Sequence, residues 1–132
     1  MDCRTLPGTT EGDVREELTA RLGDLAARCT LEHAIGAVPV EAPAEGELYE
    51  LMAATIRAHD PEGIPVPVLA PFATDAKHTV KLGVPTYGFS PLRLAPEERF
   101  LERFHGVDER IGLDALRWGL PVLFDVVAGY CG

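Results

Sequence analysis

Residues 66–89 read VPVLAPFATDAKHTVKLGVPTYGF, and this stretch carries the main prediction of the fold. Its first part, 66–69, is apolar, and its proline favours an edge strand or the entry to a strand. A short helix is predicted over 74–82, and Gly83 is suited to end that helix. Residues 84–89 again have the composition of a strand. The stretch therefore predicts strand–helix–strand, which is typical of chains that mix α and β structure.

The part of the chain before this stretch repeats the same alternation. Residues 2–6 and 31–41 are predicted strands on either side of a helix over 13–28. Residues 1–42 would then form one strand–helix–strand unit. A second helix is predicted over 47–58, where apolar residues return at helical spacing. The whole pattern predicts an α/β, or mixed α+β, architecture.

The last helix is predicted from an apolar face formed by Leu113, Leu116, Leu120, Leu123, Phe124 and Val127. Pro121 lies inside this helix, and we expect it to kink or divide the helix because an interior proline costs about 3 kcal/mol. Residues 90–112 form a long, charge-rich connection before the helix. Since long irregular loops in compact domains are usually functional or disordered, we look for chemistry there.

Composition excludes several classes of function. The 132 residues include 21 acidic and 12 basic side chains, a formal net charge of −9, so we expect no nucleic-acid partner. The longest apolar stretch, 119–129, is interrupted by Asp125 and is too short to cross a membrane. The N-terminus lacks the apolar region of a signal peptide. Cys3, Cys29 and Cys131 are odd in number and widely spaced, which predicts reduced thiols in the cytoplasm.

The sequence FHGVDER at 104–110 contains the main candidate for metal binding. His105 is followed by a glycine and by two carboxylates, Asp108 and Glu109, either of which is suited to accept the second ring N–H and fix the tautomer. The alternative is a loop histidine beside the start of a helix, where carboxylates favour the first turn. One histidine does not hold zinc by itself, because zinc takes three or four protein ligands.

Two further positions are candidates for binding a carboxylate or another anion. Thr74 or Asp75 precedes the short predicted helix, where free backbone N–H groups attract anions and Lys77 adds charge. The alternative there is an ordinary helix cap without a ligand. Arg4 lies in the first predicted strand and has the side chain suited to bidentate carboxylate recognition. The alternative for Arg4 is a charge that faces solvent.

Together these segments resemble the closing part of the M20 family of zinc-dependent metallopeptidases and amidohydrolases. The sequences TDAK at 74–77, KLGVPTYGFSPL at 81–92 and FHGVDER at 104–110 match the family's TDA(R/K), LG(I/V)PTYGF.PL and HG.DER motifs in order and spacing. The sequence DCRTLPG at 2–8 resembles the family's D.R..PG strand. The resemblance covers nearly the whole chain.

The resemblance implies the C-terminal portion of a zinc-exopeptidase fold, residues 43–132, preceded by half of a ferredoxin-like lid or dimerisation domain, residues 1–42. It implies that His105 is one ligand of a two-zinc site and that Arg4 and Thr74 bind substrate. The family hydrolyses amide bonds of peptides or N-acyl amino acids. Two metals activate a bridging water, and a glutamate is the general base.

The chain lacks most of the family's metal site. The family's HxD motif, bridging aspartate, EE pair with the general base and further acidic ligand come from an N-terminal half that this sequence does not match, and Phe72-Ala73 replaces two glycines of many relatives. We therefore expect the chain alone to be inactive and to need a missing N-terminal half or a homo-oligomer partner. The alternatives are a non-enzymatic oligomerisation or binding fragment, and a relic of a truncated gene.

Overall fold

The computed structural model describes residues 1–34 and 36–132 as helices joined by irregular segments. The α-helices are α1 (Glu11–Leu22), α2 (Glu47–His59), α3 (Ala76–Thr79), α4 (Phe100–Arg103) and α5 (Leu113–Cys131). Short 3₁₀ helices cover Gly23–Arg28, Val80–Leu82 and Pro96–Glu98. No β-strand lies in the described part of the chain. The predicted α/β fold, with its zinc-exopeptidase portion and half ferredoxin-like lid, is therefore wrong.

The predicted strand at 66–69 does not form, because no described residue pairs with it as a neighbouring strand. Its alternating side chains, Val66 and Val68, are 66% and 80% exposed. Pro67 between them has no N–H to donate to a neighbouring strand. A pattern of period two indicates a backbone that is able to pair, but an isolated strand gains neither ladder hydrogen bonds nor a packed face.

The predicted strand at 84–89 is bonded locally instead. The N–H of Val84 donates to the carbonyl oxygen of Thr79 over 3.2 Å. The hydroxyl groups of Thr79 and Thr86 lie 2.5 Å apart. These bonds attach the segment to the helical turn before it, at Gly83, whose φ of 71° ends that turn as predicted.

Of the strand–helix–strand unit predicted over 1–42, the described residues form the helix and no strand. Residues 2–6 form no ladder, so the placement of Arg4 in a strand is wrong. The carbonyl oxygen of Leu31 accepts a hydrogen bond from the side chain of Arg15 over 2.7 Å rather than from a strand. The predicted strand at 31–41 includes Ile35, which lies outside the described residues.

Helix α1 begins at a capping box. The hydroxyl oxygen of Thr10 accepts a hydrogen bond from the N–H of Asp13 (3.2 Å), and the Asp13 carboxylate accepts one from the N–H of Thr10 (2.7 Å). These bonds satisfy two backbone donors that a helix start leaves free. Gly23, with a φ of 52°, ends the helix. The helix therefore covers the predicted segment, with its last part as a 3₁₀ helix.

The chain divides into two compact units. The first comprises Met1–Pro43 and Val68–Tyr87, and the second comprises Ala44–Pro67 and Gly88–Gly132. Among the described residues, every buried one belongs to the second unit: Met52, Ala53, Thr55, Ala115, Gly119, Val122 and Val126.

The core of the second unit lies between α2 and α5. Helix α5 presents small side chains to α2, so the helices approach closely, and Val122 is completely buried. A Cβ at Gly129 would meet the Leu51 side chain at 3.3 Å. Helix α5 continues through the exposed Pro121 as a single helix, so the predicted division of this helix is wrong.

Candidate functional site

His105 lies in a tight turn directly after α4. The N–H of Gly106 donates to the carbonyl oxygen of Arg103 over 3.0 Å and closes this turn. The backbone of His105 has a φ of 56°, in the left-handed region that few non-glycine residues adopt. Its ring is tilted 33° from the ring of Phe104, with 6.3 Å between centroids. The turn leaves the side chain of His105 exposed to solvent.

Asp108 and Glu109 follow this turn as exposed residues. Asp108 also has a left-handed backbone, with a φ of 65°. In the part of the chain that the structure describes, no hydrogen bond joins either carboxylate to the imidazole of His105. Neither residue lies in the first turn of a helix, because α5 begins at Leu113. Their predicted role in orienting the imidazole stays a prediction.

Thr74 is bonded within its own turn. Its hydroxyl oxygen accepts a hydrogen bond from the N–H of Ala76 over 3.3 Å. Asp75 occupies the N-cap position of α3 and makes no side-chain capping bond. Helix α3 has only four residues, so few peptide dipoles align there to attract an anion. The predicted contact between Thr74 and a substrate stays a prediction.

Arg4 is held by a carboxylate two residues away. Its Nε and Nη2 atoms donate to Asp2 Oδ2 over 3.0 and 2.7 Å, and both side chains are exposed. An exposed ion pair contributes only about 0–1 kcal/mol, so Arg4 can exchange Asp2 for another carboxylate at little cost. Arg4 and Thr74 belong to the first unit and His105 to the second. Among the described residues, no hydrogen bond joins Arg4 to Thr74.

Two histidines that the sequence did not single out have carboxylate partners. His33 Nδ1 lies 2.6 Å from Glu11 Oε2, and Arg15 Nη2 lies 3.0 Å from Glu11 Oε1. The hydrogen bond from Arg15, followed by that from His33, holds the pKa of Glu11 below its usual range. His59 Nε2 lies 2.7 Å from Asp125 Oδ2. The partners of these two pairs are separated by 22 and 66 residues along the chain, so no short sequence motif predicts them.

The first unit also contains a pocket that is lined by basic side chains. Lys77, His78 and Lys81 line it together with residues 36–38, and its volume is about 140 Å³. None of these three side chains forms an ion pair with a described carboxylate. The lining of this pocket carries positive charge, and the anion site predicted at Thr74, Asp75 and Lys77 stays a prediction.

The described residues do not fit a zinc site. No group of three His, Cys, Asp or Glu side chains in residues 1–34 and 36–132 is placed to hold a metal ion. Zinc takes three or four protein ligands, and His105 offers one. A stable zinc site at His105 would need ligands from outside this set.

The helices of the described chain include none that is long and apolar enough to cross a lipid bilayer. Comparison of the chain with protein-family models, with curated proteins and with solved structures finds no significant match. The resemblance to the M20 metallopeptidases therefore rests on the sequence motifs that carry it.

Proposed function

We propose that this chain supplies His105 as one zinc ligand of an M20-type hydrolase that cleaves amide bonds of peptides or N-acyl amino acids. The observation that carries the proposal is the segment FHGVDER at 104–110, whose histidine is exposed on a closed turn. A metal ligand needs an accessible imidazole nitrogen, and the exposed side chain of His105 meets that requirement.

The backbone around His105 supports the proposal. His105 and Asp108 both adopt left-handed conformations. Such residues cost about 1–3 kcal/mol each and concentrate at functional sites, where the strain is tolerated because it aims a side chain. Neither residue is a glycine that would adopt this conformation freely. The turn is therefore a better candidate for function than an ordinary surface loop.

The remaining ligands and the general base must come from outside this chain, because neither its sequence nor its described side chains supply them. The source is an N-terminal half of the enzyme, because another copy of this chain has the same sequence and lacks the same ligands. Arg4 would bind the carboxylate of the substrate, and Thr74 would help to hold the substrate. The exposed, unpaired cysteines support a cytoplasmic enzyme, since reduced thiols persist there: Cys3, Cys29 and Cys131.

The test is complementation by the coding region upstream of Met1. We expect that region to encode an HxD motif, and we expect its product to hydrolyse N-acyl amino acids with zinc only when this chain is present. His105→Ala should lower that activity at least about 100-fold, because even the outer partners of metal ligands contribute 10–100-fold. His33→Ala, at an exposed histidine outside the candidate site, is the matched control and should keep the activity.

Three results would contradict the proposal. One is an upstream region without an HxD motif, and another is full activity of His105→Ala in the complemented enzyme. The third is stoichiometric zinc and measurable hydrolysis by the 132-residue chain alone, which would mean that the site is complete without further ligands.

A second candidate function is a non-enzymatic module that oligomerises. It is favoured by the large apolar side chains that α5 leaves exposed, including Leu113, Leu120 and Phe124. Because contiguous exposed apolar surface usually marks an interaction site, these residues favour association over catalysis by the chain alone. Removal of His105 would leave this function intact, which separates it from the first candidate.

A further inference from the structure

Helix α5 has two apolar faces, and among the described residues of the second unit only one of them is buried. The first consists of small and medium residues that are all buried, Ala115, Gly119, Val122 and Val126, of which Gly119 lies against the backbone of Pro91. The second, which we call the heptad stripe, is large and exposed. Its members are 38–68% exposed: Leu113, Leu116, Leu120, Leu123, Val127 and Tyr130.

The members of the heptad stripe are separated by three, four, three, four and three residues. This is the a/d spacing with which two helices form a coiled coil, each side chain entering a space between side chains of the facing helix. A helix that needs only one buried face has no reason to carry a second stripe of this spacing. We propose that the heptad stripe is the interface between two copies of this chain, paired antiparallel through α5.

Symmetry is the first argument for a second copy as the occupant. A two-fold axis between Leu120 and Leu123 exchanges these two residues between the copies. The same axis sets Leu116 against Val127 and Leu113 against Tyr130. Every member of the stripe then has an apolar partner, as a self-complementary two-fold interface requires.

The available area is the second argument. Phe124 adjoins the stripe and is itself largely exposed. If most of the exposed area of the stripe and of Phe124 were buried, each copy would lose roughly 600 Å² of accessible surface, or about 1,200 Å² in total. This total reaches the lower limit of specific interfaces. A groove of about 240 Å³ beside Leu116 and Leu123, closed on its other side by residues 89–92, adds concave apolar surface. The groove would receive the leucines of the partner copy nearest to the two-fold axis.

Charge favours the antiparallel direction. No ionisable group other than the phenol of Tyr130 lies in the stripe, so the net charge of −9 on each copy does not enter the interface. The antiparallel register brings Arg117 of one copy within two residues, about 3 Å along the axis, of the level of Phe124 of the other, where a guanidinium can lie over an aromatic ring. It also sets the positive N-terminus of each helix beside the negative C-terminus of its partner.

The association is tested by sedimentation equilibrium over a wide range of protein concentration. We expect a reversible dimer, and we expect Leu120→Asp to weaken it at least about 100-fold because a carboxylate would be buried without a partner. Leu101→Asp is the matched control. Leu101 is 70% exposed on α4 and Leu120 is 64% exposed on α5, so both variants should fold, but only Leu120→Asp should dissociate the dimer. Circular dichroism checks the folding of each.

A strictly monomeric wild-type chain, or a dimer that Leu120→Asp leaves intact, would overturn the proposal. Neither result tests the proposed metal site, because His105 lies outside the heptad stripe. Capture of a different protein by a monomeric chain would likewise count against a second copy as the occupant.

The direction of pairing is tested by disulfide trapping after the native cysteines, all exposed, have been replaced by serine. Leu120→Cys and Leu123→Cys chains are oxidised separately and as a mixture. The antiparallel pair predicts that the mixed disulfide dominates, since residue 120 of one copy faces residue 123 of the other. Disulfides between identical variants in preference to mixed ones would show a parallel pair and overturn the assigned geometry.

Discussion

The absence of a side chain at Gly119 allows α5 to lie close to the backbone of Pro91. A Cβ at this position would collide with the carbonyl oxygen of Pro91. Alanine is favoured over glycine in a helix by about 1 kcal/mol, but a steric collision in a packed core costs about 1–3 kcal/mol. We expect Gly119→Ala to lower the free energy of unfolding by roughly 1–2 kcal/mol in urea titrations.

The control for this variant is Gly129→Ala in the same helix. The added Cβ at Gly129 would meet only the end of the Leu51 side chain at 3.3 Å, and that side chain is free to move. We expect Gly129→Ala to be neutral or to stabilise. Equal effects of the two variants would mean that the carbonyl group of Pro91 does not limit the approach to α5.

The capping box of α1 makes the stability of that helix depend on pH. The hydrogen bonds from the backbone and then the hydroxyl group of Thr10 hold the pKa of Asp13 below its usual range. Because the folded pKa is the lower one, the stabilisation is complete above the unfolded value of about 4 and is lost as the pH falls through the folded pKa. Amide chemical shifts of α1 should report fraying in acid below pH about 4.

Asp13→Asn should remove most of this acid transition, and Thr10→Ala should destabilise the helix start by about 1 kcal/mol. Glu16→Gln is the control, because it removes a charge from α1 without touching the cap. An acid transition in α1 that Asp13→Asn leaves unchanged would show that another group controls it.

Local chemistry explains which residue contacts were predictable. The role of Gly83 follows from its own backbone freedom, so the sequence predicted it, and a φ of 71° confirms it. The pairing of His59 with Asp125 depends on how α2 packs against α5, and nothing within a few residues of either side chain encodes it. The candidate site shares this limit, because the motif identifies His105 but does not identify what faces it.

At the scale of elements, Pro121 offers a direct test of α5. It is exposed and lies inside a continuous helix, where it cannot donate a hydrogen bond to the carbonyl group of Arg117. Proline is about 3 kcal/mol less favourable than alanine within a helix. Since Pro121 packs against no buried face, Pro121→Ala should raise the free energy of unfolding by about 1–3 kcal/mol.

Thermal and urea unfolding measure this effect. The control is Ala128→Gly, at another exposed position of α5, which should change the stability in the opposite direction. It should lower the free energy of unfolding by about 1 kcal/mol. A Pro121→Ala variant that is less stable than the wild type would mean that the ring of Pro121 makes contacts that stabilise the helix.

Helices and strands differ in how far their sequences predict them. The helix predicted over 47–58 forms as Glu47–His59, because its hydrogen bonds and capping groups lie within one segment. The strands predicted over 66–69 and 84–89 do not form. Their alternating apolar residues are necessary for a sheet but do not supply the partner strand, which has to come from elsewhere.

At the scale of the whole molecule, burial is distributed unevenly. Every buried residue in the described chain belongs to the unit that contains α2 and α5. Helix α1 belongs to the other unit and depends on its capping box and on exposed ion pairs such as Arg21 with Glu17. A helix of 12 residues without a buried face is marginal in water, so the two units should differ in protection of their backbone amides.

Hydrogen exchange read by mass spectrometry measures this difference. We expect the amides of α1 to exchange rapidly and those around Met52 in α2 and Val122 in α5 to be protected. Val122→Ala should cost about 1–3 kcal/mol and lower the protection of both helices together, because the completely buried side chain packs between them. Leu101→Ala, at an exposed position of the same unit, should leave their protection unchanged. Amides of α1 as slow as those around Val122 would show that the first unit has a core that its exposed side chains do not account for.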